Sequence, residues 1–150
     1  MTTFSAGRVT GMTVERTLVL IKPDGVRRGL IGAILSRYEN KGLRTVALDQ
    51  RLIDGAMADR HYAEHVEKAW YPPLRDFITS GPILAMVLEG PSAVEAVRHL
   101  NGATDGVAAE PGSVRGDYSL SNRENLVHAS DSLESSAREI ALWFLSLIHI

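Results

Sequence analysis

Five histidines, one lysine and two arginines set at the ends of apolar or turn-rich stretches are the residues of this chain best placed for chemistry. His128 closes the short apolar run Leu126-Val127-His128 and is followed at once by the small, polar Ala129-Ser130-Asp131. A helical pattern begins there, so the imidazole sits at a strand end beside helix N–H groups and a positive dipole end that favour anions. Taken alone, such a residue reads first as a hydrogen-bonded structural histidine. Lys22 follows four apolar residues, Leu18 to Ile21, so a strand anchors its stem and holds the ammonium in place, as phosphoryl transfer requires. Arg98 falls late in a predicted helix and Arg115 in the Gly112 to Asp117 loop; each by itself reads as a surface charge. His61 and His65 have the spacing of zinc ligands on one helix face, but Tyr62 stands where a zinc protease carries its glutamate, and a solvated face explains the pair better. Neither Gly-x-x-x-x-Gly-Lys-Ser/Thr nor Gly-x-Gly-x-x-Gly occurs, so any nucleotide site must be built from side chains.

These residues need a scaffold, and the hydrophobic pattern supplies one. Leu18 to Ile21 reads as a buried strand entering a turn at Pro23-Asp24-Gly25. Ile31, Ile34, Leu35 and Tyr38 recur at helical spacing, with Gly42 as the left-handed end. Arg44 to Leu52 alternates, placing Val46, Leu48 and Leu52 on one face of a half-buried strand. Gly55 to Thr79 predicts two short helices broken at Pro72-Pro73. Ile83 to Leu88 is a third, fully buried strand, and Ser92 with Glu95 has capping-box spacing for a helix through Leu100. Gly102 to Arg123 lacks periodicity and is long for a connection, a property often found in functional loops. Leu126 to His128 forms a fourth strand, and Asp131 with Glu134 has capping-box spacing for a helix reaching Phe144. This order favours an α+β fold, a ferredoxin-like α/β sandwich: a four-stranded antiparallel sheet with a β-α-β-β-α-β core and helices on its faces, mainly on one of them. The helices after the second strand are then an insertion.

At 150 residues and 45% hydrophobic composition, the chain suits one domain with a real core. No cysteine is present, which excludes disulfides, thiolate metal sites and cysteine nucleophiles. Sixteen Lys and Arg against eighteen Asp and Glu give a net charge of -2, which argues against nucleic acid as a partner. Met1 to Met12 has no basic or apolar segment of a secretory signal and reads as a flexible polar tail, with residues 13–150 as the domain. The apolar run Ala141 to Ile150 is too short to span a membrane, so no membrane association is expected and the default location is cytoplasmic.

A family resemblance is carried by motifs in order along the chain. They are Glu15-Arg16-Thr17-Leu18, Ile21-Lys22-Pro23-Asp24-Gly25-Val26, Arg28-Gly29-Leu30-Ile31-Gly32, Lys41-Gly42, His61-Tyr62, Ser80-Gly81-Pro82, Pro111-Gly112-Ser113-Val114-Arg115-Gly116-Asp117 and Asn125-Leu126-Val127-His128-Ala129-Ser130-Asp131-Ser132. Over Glu15 to Phe144 the chain resembles the nucleoside diphosphate kinases. The resemblance implies a ping-pong reaction in which His128 takes the γ-phosphoryl group of a nucleoside triphosphate, mainly ATP, and passes it from a phosphohistidine to a nucleoside diphosphate. By position, Glu139 would orient the imidazole, and Tyr62 would lie near it. Arg98, Thr104 and Arg115 would hold phosphates, while Lys22 and Asn125 would hydrogen-bond around the sugar hydroxyls. Trp70 would stack on the base, with Leu74 among the opposing apolar contacts, and stacking accepts any base. Mg²⁺ is the implied cofactor, held mainly through the nucleotide phosphates, with no protein metal ligands required. A homo-oligomer, hexamer or tetramer, is implied as well.

Three departures from the family pattern stand out. Ala129 replaces the usual glycine after the nucleophile and would be strained at a left-handed position. Gly106 stands where proline is common and would loosen the long loop. The ending Leu145 to Ile150 exposes apolar side chains that would need a partner surface. The first two motivate an alternative, a weakly active or inactive nucleotide-binding module of the same fold. An RNA-binding reading would want more sheet aromatics than three Phe and four Tyr and a basic face.

Overall fold

A computed structural model describes residues 13–145; the expectations for residues 1–12 and 146–150 lie outside the described residues. The elements are β1 (Val14–Ile21), α1 (Pro23–Arg27), α2 (Ile31–Lys41), β2 (Arg44–Arg51), α3 (Gly55–His61), α4 (Tyr71–Ile78), β3 (Ile83–Pro91), α5 (Ala93–Asn101), α6 (Val114–Tyr118), β4 (Val127–Ala129) and α7 (Leu133–Trp143). The sheet order is β2-β3-β1-β4, and every neighbouring pair is antiparallel. The connection from β1 to β2 passes β3, and that from β3 to β4 passes β1. This is the expected ferredoxin-like sandwich, with α3 and α4 inserted between β2 and β3.

The central strands read as unbroken apolar runs because helices cover the sheet on both sides, not mainly on one. Val19 and Ile21 pack with Ile34, Tyr38, Val97 and Leu126, whereas Leu18 and Leu20 pack with Ile53, Met57, Ile78, Ile140 and Trp143. Strand residues alternate faces, so a strand buried twice has no polar positions to spare.

Local expectations fail where a distant group takes over. At the sheet edge, β2 carries an irregularity between Thr45 and Ala47, and Leu48 and Leu52 are 52% and 66% exposed instead of buried. Ser92 adopts φ 51 and makes no side-chain cap; a Glu15 carboxylate oxygen accepts from Val94 N–H at 3.2 Å instead. Ser132, not Asp131, caps α7 by accepting from Ser135 N–H. The break between the inserted helices spans residues 62–70, and Pro72 and Pro73 occupy the first turn of α4, where a missing N–H costs nothing. Pro23 likewise starts α1, so the expected turn is a short helix. The long loop contains α6, capped by Ser113, which accepts from Gly116 N–H. Among the described residues no helix is long and apolar enough to cross a membrane.

Candidate active site

A cleft of about 940 Å³ opens between the end of β1, β4, α7 and the α3–α4 insertion, and all ten sequence-predicted site residues line it. His128 stands on β4 opposite Leu20. Its side chain is 20% exposed, and Nε2 lies 2.8 Å from Oε1 of Glu139. Ser130 Oγ donates to the same carboxylate oxygen at 2.9 Å. Glu139 is 5% exposed because it lies with Ser136, Ile140 and Trp143 on the buried stripe of α7. With Nε2 bound to a carboxylate, the ring carries its proton there, and Nδ1 keeps its lone pair. Glu139 is thus a buried partner of His128 and not a solvent-facing helix residue.

Lys22 continues from β1 into the base of the cleft. Its ammonium donates to Asn125 Oδ1 at 2.8 Å, and burial followed by the nearby Arg115 charge lowers its pKa to about 8. The segment that follows Asn125 is gripped at both ends: Lys22 N–H donates to the Leu126 carbonyl at 2.7 Å, and Leu126 N–H donates to Asp24 Oδ2 at 3.1 Å. Leu126 has φ 75, a left-handed conformation that a leucine adopts only when its surroundings impose it. Burial also raises the Asp24 carboxyl above the ordinary carboxylate range.

Arg115 ties the loop to β4. It donates from Nε to the Asn125 carbonyl (3.1 Å), from Nη1 to Gly102 (2.9 Å) and from Nη2 to Val127 (2.6 Å). Three of its five N–H groups are so engaged, which leaves two for a ligand in the cleft. Arg98 on α5 and Thr104 after it are exposed at the open side. A positively charged floor and rim of this kind suits a polyphosphate.

The opposite lip is apolar. Trp70 is 49% exposed just before α4, and Leu74 lies one turn further on. Asp59 pins the two inserted helices together by accepting from Tyr71 Oη at 2.7 Å and from Arg75 Nε at 2.9 Å. The Arg75 guanidinium packs directly on Gly55, where a Cβ would come within 2.0 Å of its Nη2 and push the side chain aside. Burial raises the Tyr62 pKa, so its phenol remains a hydrogen-bond donor in the cleft.

His61 corrects the sequence reading. Helix α3 ends at this residue and His65 lies in the following turn, so the two share no helix face. His61 is only 3% exposed. Its Nδ1 accepts from Trp143 Nε1 at 3.0 Å, and its ring meets that of His128 edge to face, with centroids 4.6 Å apart. Potential ligand atoms of His61, His128 and Glu139 lie within 4.8 Å of one another. Yet an indole N–H only donates, so the proton of neutral His61 is on Nε2, and neither nitrogen is free for a metal ion. For a hard cation such as Mg²⁺ the cleft instead offers the carboxylates of Glu64 and Asp131, alongside Lys22, Arg98 and Arg115.

The departures at Ala129 and Gly106 fit their surroundings. Ala129 lies in β4 paired with Val19, outside the positive-φ positions, so it carries no left-handed strain. Gly106 is buried where a Cβ would approach the Ser119 carbonyl oxygen to 2.3 Å; its glycine permits tight packing instead of loosening the loop. Both motives for a weakly active module are thereby removed.

Comparison with known proteins agrees with this geometry. The family model described as nucleoside diphosphate kinase matches residues 15–147. A nucleoside diphosphate kinase from Nocardioides sp. is 70% identical over 132 residues, covering 88% of this chain and 98% of the relative. One from Mycobacteroides abscessus is 60% identical over 134 residues, covering 89% and 98%. Among solved structures, a halophilic nucleoside diphosphate kinase from Halobacterium salinarum in complex with CDP superimposes with a TM-score of 0.85 at 52% identity, covering 87% of each chain. A nucleoside diphosphate kinase family protein from Babesia bovis gives the same TM-score at 45% identity, covering 89% of this chain and 90% of that one.

Proposed function

Because the chain belongs to the nucleoside diphosphate kinase family, we propose that His128 is the nucleophile of its phosphoryl transfer and that the ten cleft residues carry the reaction. The protein is an enzyme that moves the γ-phosphoryl group of a nucleoside triphosphate to a nucleoside diphosphate, and a phosphohistidine route is general for the family.

In this reading the Nδ1 lone pair of His128 attacks the γ-phosphorus, the bond to the β,γ-bridging oxygen breaks, and the nucleoside diphosphate leaves with that electron pair. Positive charge that develops on the ring is met by Glu139, which holds the Nε2 proton without removing it. A terminal oxygen of an incoming diphosphate then attacks the same phosphorus, the N–P bond breaks, and His128 is regenerated. Arg98, Arg115 and Thr104 hold the phosphates and spread their charge as the group moves. Lys22 and Asn125 bind the sugar hydroxyl region, Tyr62 donates near the nucleophile, and Trp70 with Leu74 encloses the base. Magnesium dependence is general for the family; bound here through the nucleotide phosphates, the ion would neutralise their charge, with Glu64 and Asp131 available to its waters.

The observation that carries this reading is the buried carboxylate on Nε2 at 2.8 Å, which leaves Nδ1 as the reactive nitrogen within the cleft. Intact mass after incubation with ATP and Mg²⁺ tests it. A single phosphoryl adduct is expected on the native chain, absent in His128→Ala and removed by a nucleoside diphosphate chase. An adduct that survives in His128→Ala refutes the assignment.

Four further expectations belong to the same proposal. ATP and other nucleoside tri- and diphosphates are the substrates. Residues 13–150 form the catalytic domain, with 1–12 as an appended tail, a division supported by the match over 15–147. The chain forms a homo-oligomer, hexamer or tetramer, supported by the exposed Leu48, Leu52, Val107 and Leu120, and light scattering gives its mass. The cytoplasm, where nucleotides are made and spent, is the compartment this chemistry suits.

A further inference from the structure

The cleft holds one buried polar ring that the reaction as written does not use. His61 is 3% exposed, presses edge to face on His128 at 79° between ring planes, and is anchored behind by Trp143. We propose that His61 is a positioning residue: an uncharged ring locked in one tautomer by Trp143, which fixes the plane of the His128 imidazole while Glu139 fixes its tautomer. This rests on His128 being the nucleophile.

A hydrogen bond to Nε2 holds one corner of a ring and leaves it free to tilt about the N–O line. Packing against a second ring removes that freedom. In-line attack tolerates little tilt, because effective concentration depends on alignment of the reacting atoms. The wall must also stay neutral. A cationic His61, within 4.8 Å of the pair, would compete with His128 for the one Glu139 carboxylate.

Two features keep the charge away. Burial is the main one, and the surrounding His128, Arg138, Lys22 and His65 add to it, so the ring loses its proton far below the usual histidine range. Tyr62, whose ring is edge-on at 4.6 Å, remains an uncharged phenol, and Glu139 on α7 is the facing carboxylate. Arg138 also donates to the His61 carbonyl at 3.1 Å, fixing the backbone from the same helix. Trp143 is itself fixed, because Arg51 lies over its indole at 5.0 Å. A metal-ligand role is excluded by the same indole, since a metal-bound imidazole needs an acceptor behind it and not a donor.

The test combines spectroscopy with transient kinetics on the full chain. Imidazole ¹⁵N shifts of the native protein should show His61 as the neutral Nε2–H tautomer throughout pH 5.5–8; titration with an ordinary midpoint near 6.5 overturns the proposal. Trp143→Phe should keep the core filled, yet let His61 sample both tautomers and take up a proton within that range. An unchanged tautomer in Trp143→Phe also counts against it. Rapid-quench measurement of His128 phosphorylation by ATP and Mg²⁺ provides the second arm. His61→Ala should lose about 10- to 100-fold in the saturating rate, with the ATP concentration dependence nearly unchanged. His61→Gln, which keeps an uncharged acceptor for Trp143, should recover much of that loss. A folded His61→Ala with the native saturating rate, or a loss confined to the concentration dependence, overturns the assignment. If both the His128→Ala and native chains lack an adduct, the nucleophile reading fails first, so the two failures are distinguishable.

Discussion

Replacing Glu139 by glutamine removes a charge and little else. The side chain is 5% exposed and keeps its shape, so an amide oxygen can still accept from His128 Nε2 across the 2.8 Å gap. What disappears is the charge assistance. Hydrogen bonds to ionised groups are worth about 1.5–3 kcal/mol and neutral ones about 0.5–1.5 kcal/mol, so the change costs about 1–1.5 kcal/mol. That energy is felt as positive charge builds on the ring during attack, and it corresponds to a loss of about 5- to 13-fold in the rate of His128 phosphorylation. Glu139→Ala should lose more, because it also frees the Nε2 proton to move to Nδ1 and leaves Ser130 Oγ without its 2.9 Å acceptor. Rapid-quench phosphorylation with ATP and Mg²⁺, read by intact mass, gives both rates directly. The ordering native, then glutamine, then alanine is the essential result. Glutamine at the native rate, or alanine no slower than glutamine, refutes the role assigned to the carboxylate.

Arg115→Lys should destabilise the fold as well as weaken nucleotide binding. A single ammonium, shorter in reach and without the guanidinium's three spread nitrogens, cannot bond the Asn125, Gly102 and Val127 carbonyls together, and about 2–4 kcal/mol lost in denaturant titration is expected. Lys22 titrates near pH 8 in the free cleft, so nucleotide binding around pH 8–9 should take up protons; calorimetry in two buffers of different ionisation enthalpy measures the uptake, and Lys22→Met abolishes it. The sign for stability is the reverse of a salt-bridged lysine. Below pH 8 the buried charge costs about 3 kcal/mol, and the cost fades as pH rises towards 10.5 because the unfolded chain then binds more protons. Trp70→Ala should raise KM for purine and pyrimidine nucleotides alike, by about 5- to 100-fold, with kcat changed far less, and Trp70→Phe should restore most of it.

The sequence by itself determined the frame and the residues that gather in the cleft. Continuous apolar runs marked β1 and β3 as strands buried on both faces, and the residues that end such runs, Lys22 after Ile21 and His128 after Val127, are held where a strand's C-terminal end opens into the cleft. Motif order carried the remaining cleft residues, and all ten converge. Glu139 came from motif position alone; that it lies buried with Ser136, Ile140 and Trp143 on α7 was settled by the fold. Only the tertiary structure decided how those groups are held. The carboxylate that caps α5 comes from Glu15, 79 residues from Val94, so the local Ser92 signal pointed to the wrong cap. The ring against His128 is His61, whose partner Trp143 lies 82 residues away, and no periodicity on α3 distinguishes a solvated histidine from one buried under another helix. Leu48 and Leu52 alternate as a buried face would, yet β2 is the edge of the sheet. Period and spacing report which side chains share a face of their own element. Which face is covered, and by what, depends on contacts between distant segments that exist only once the chain has folded.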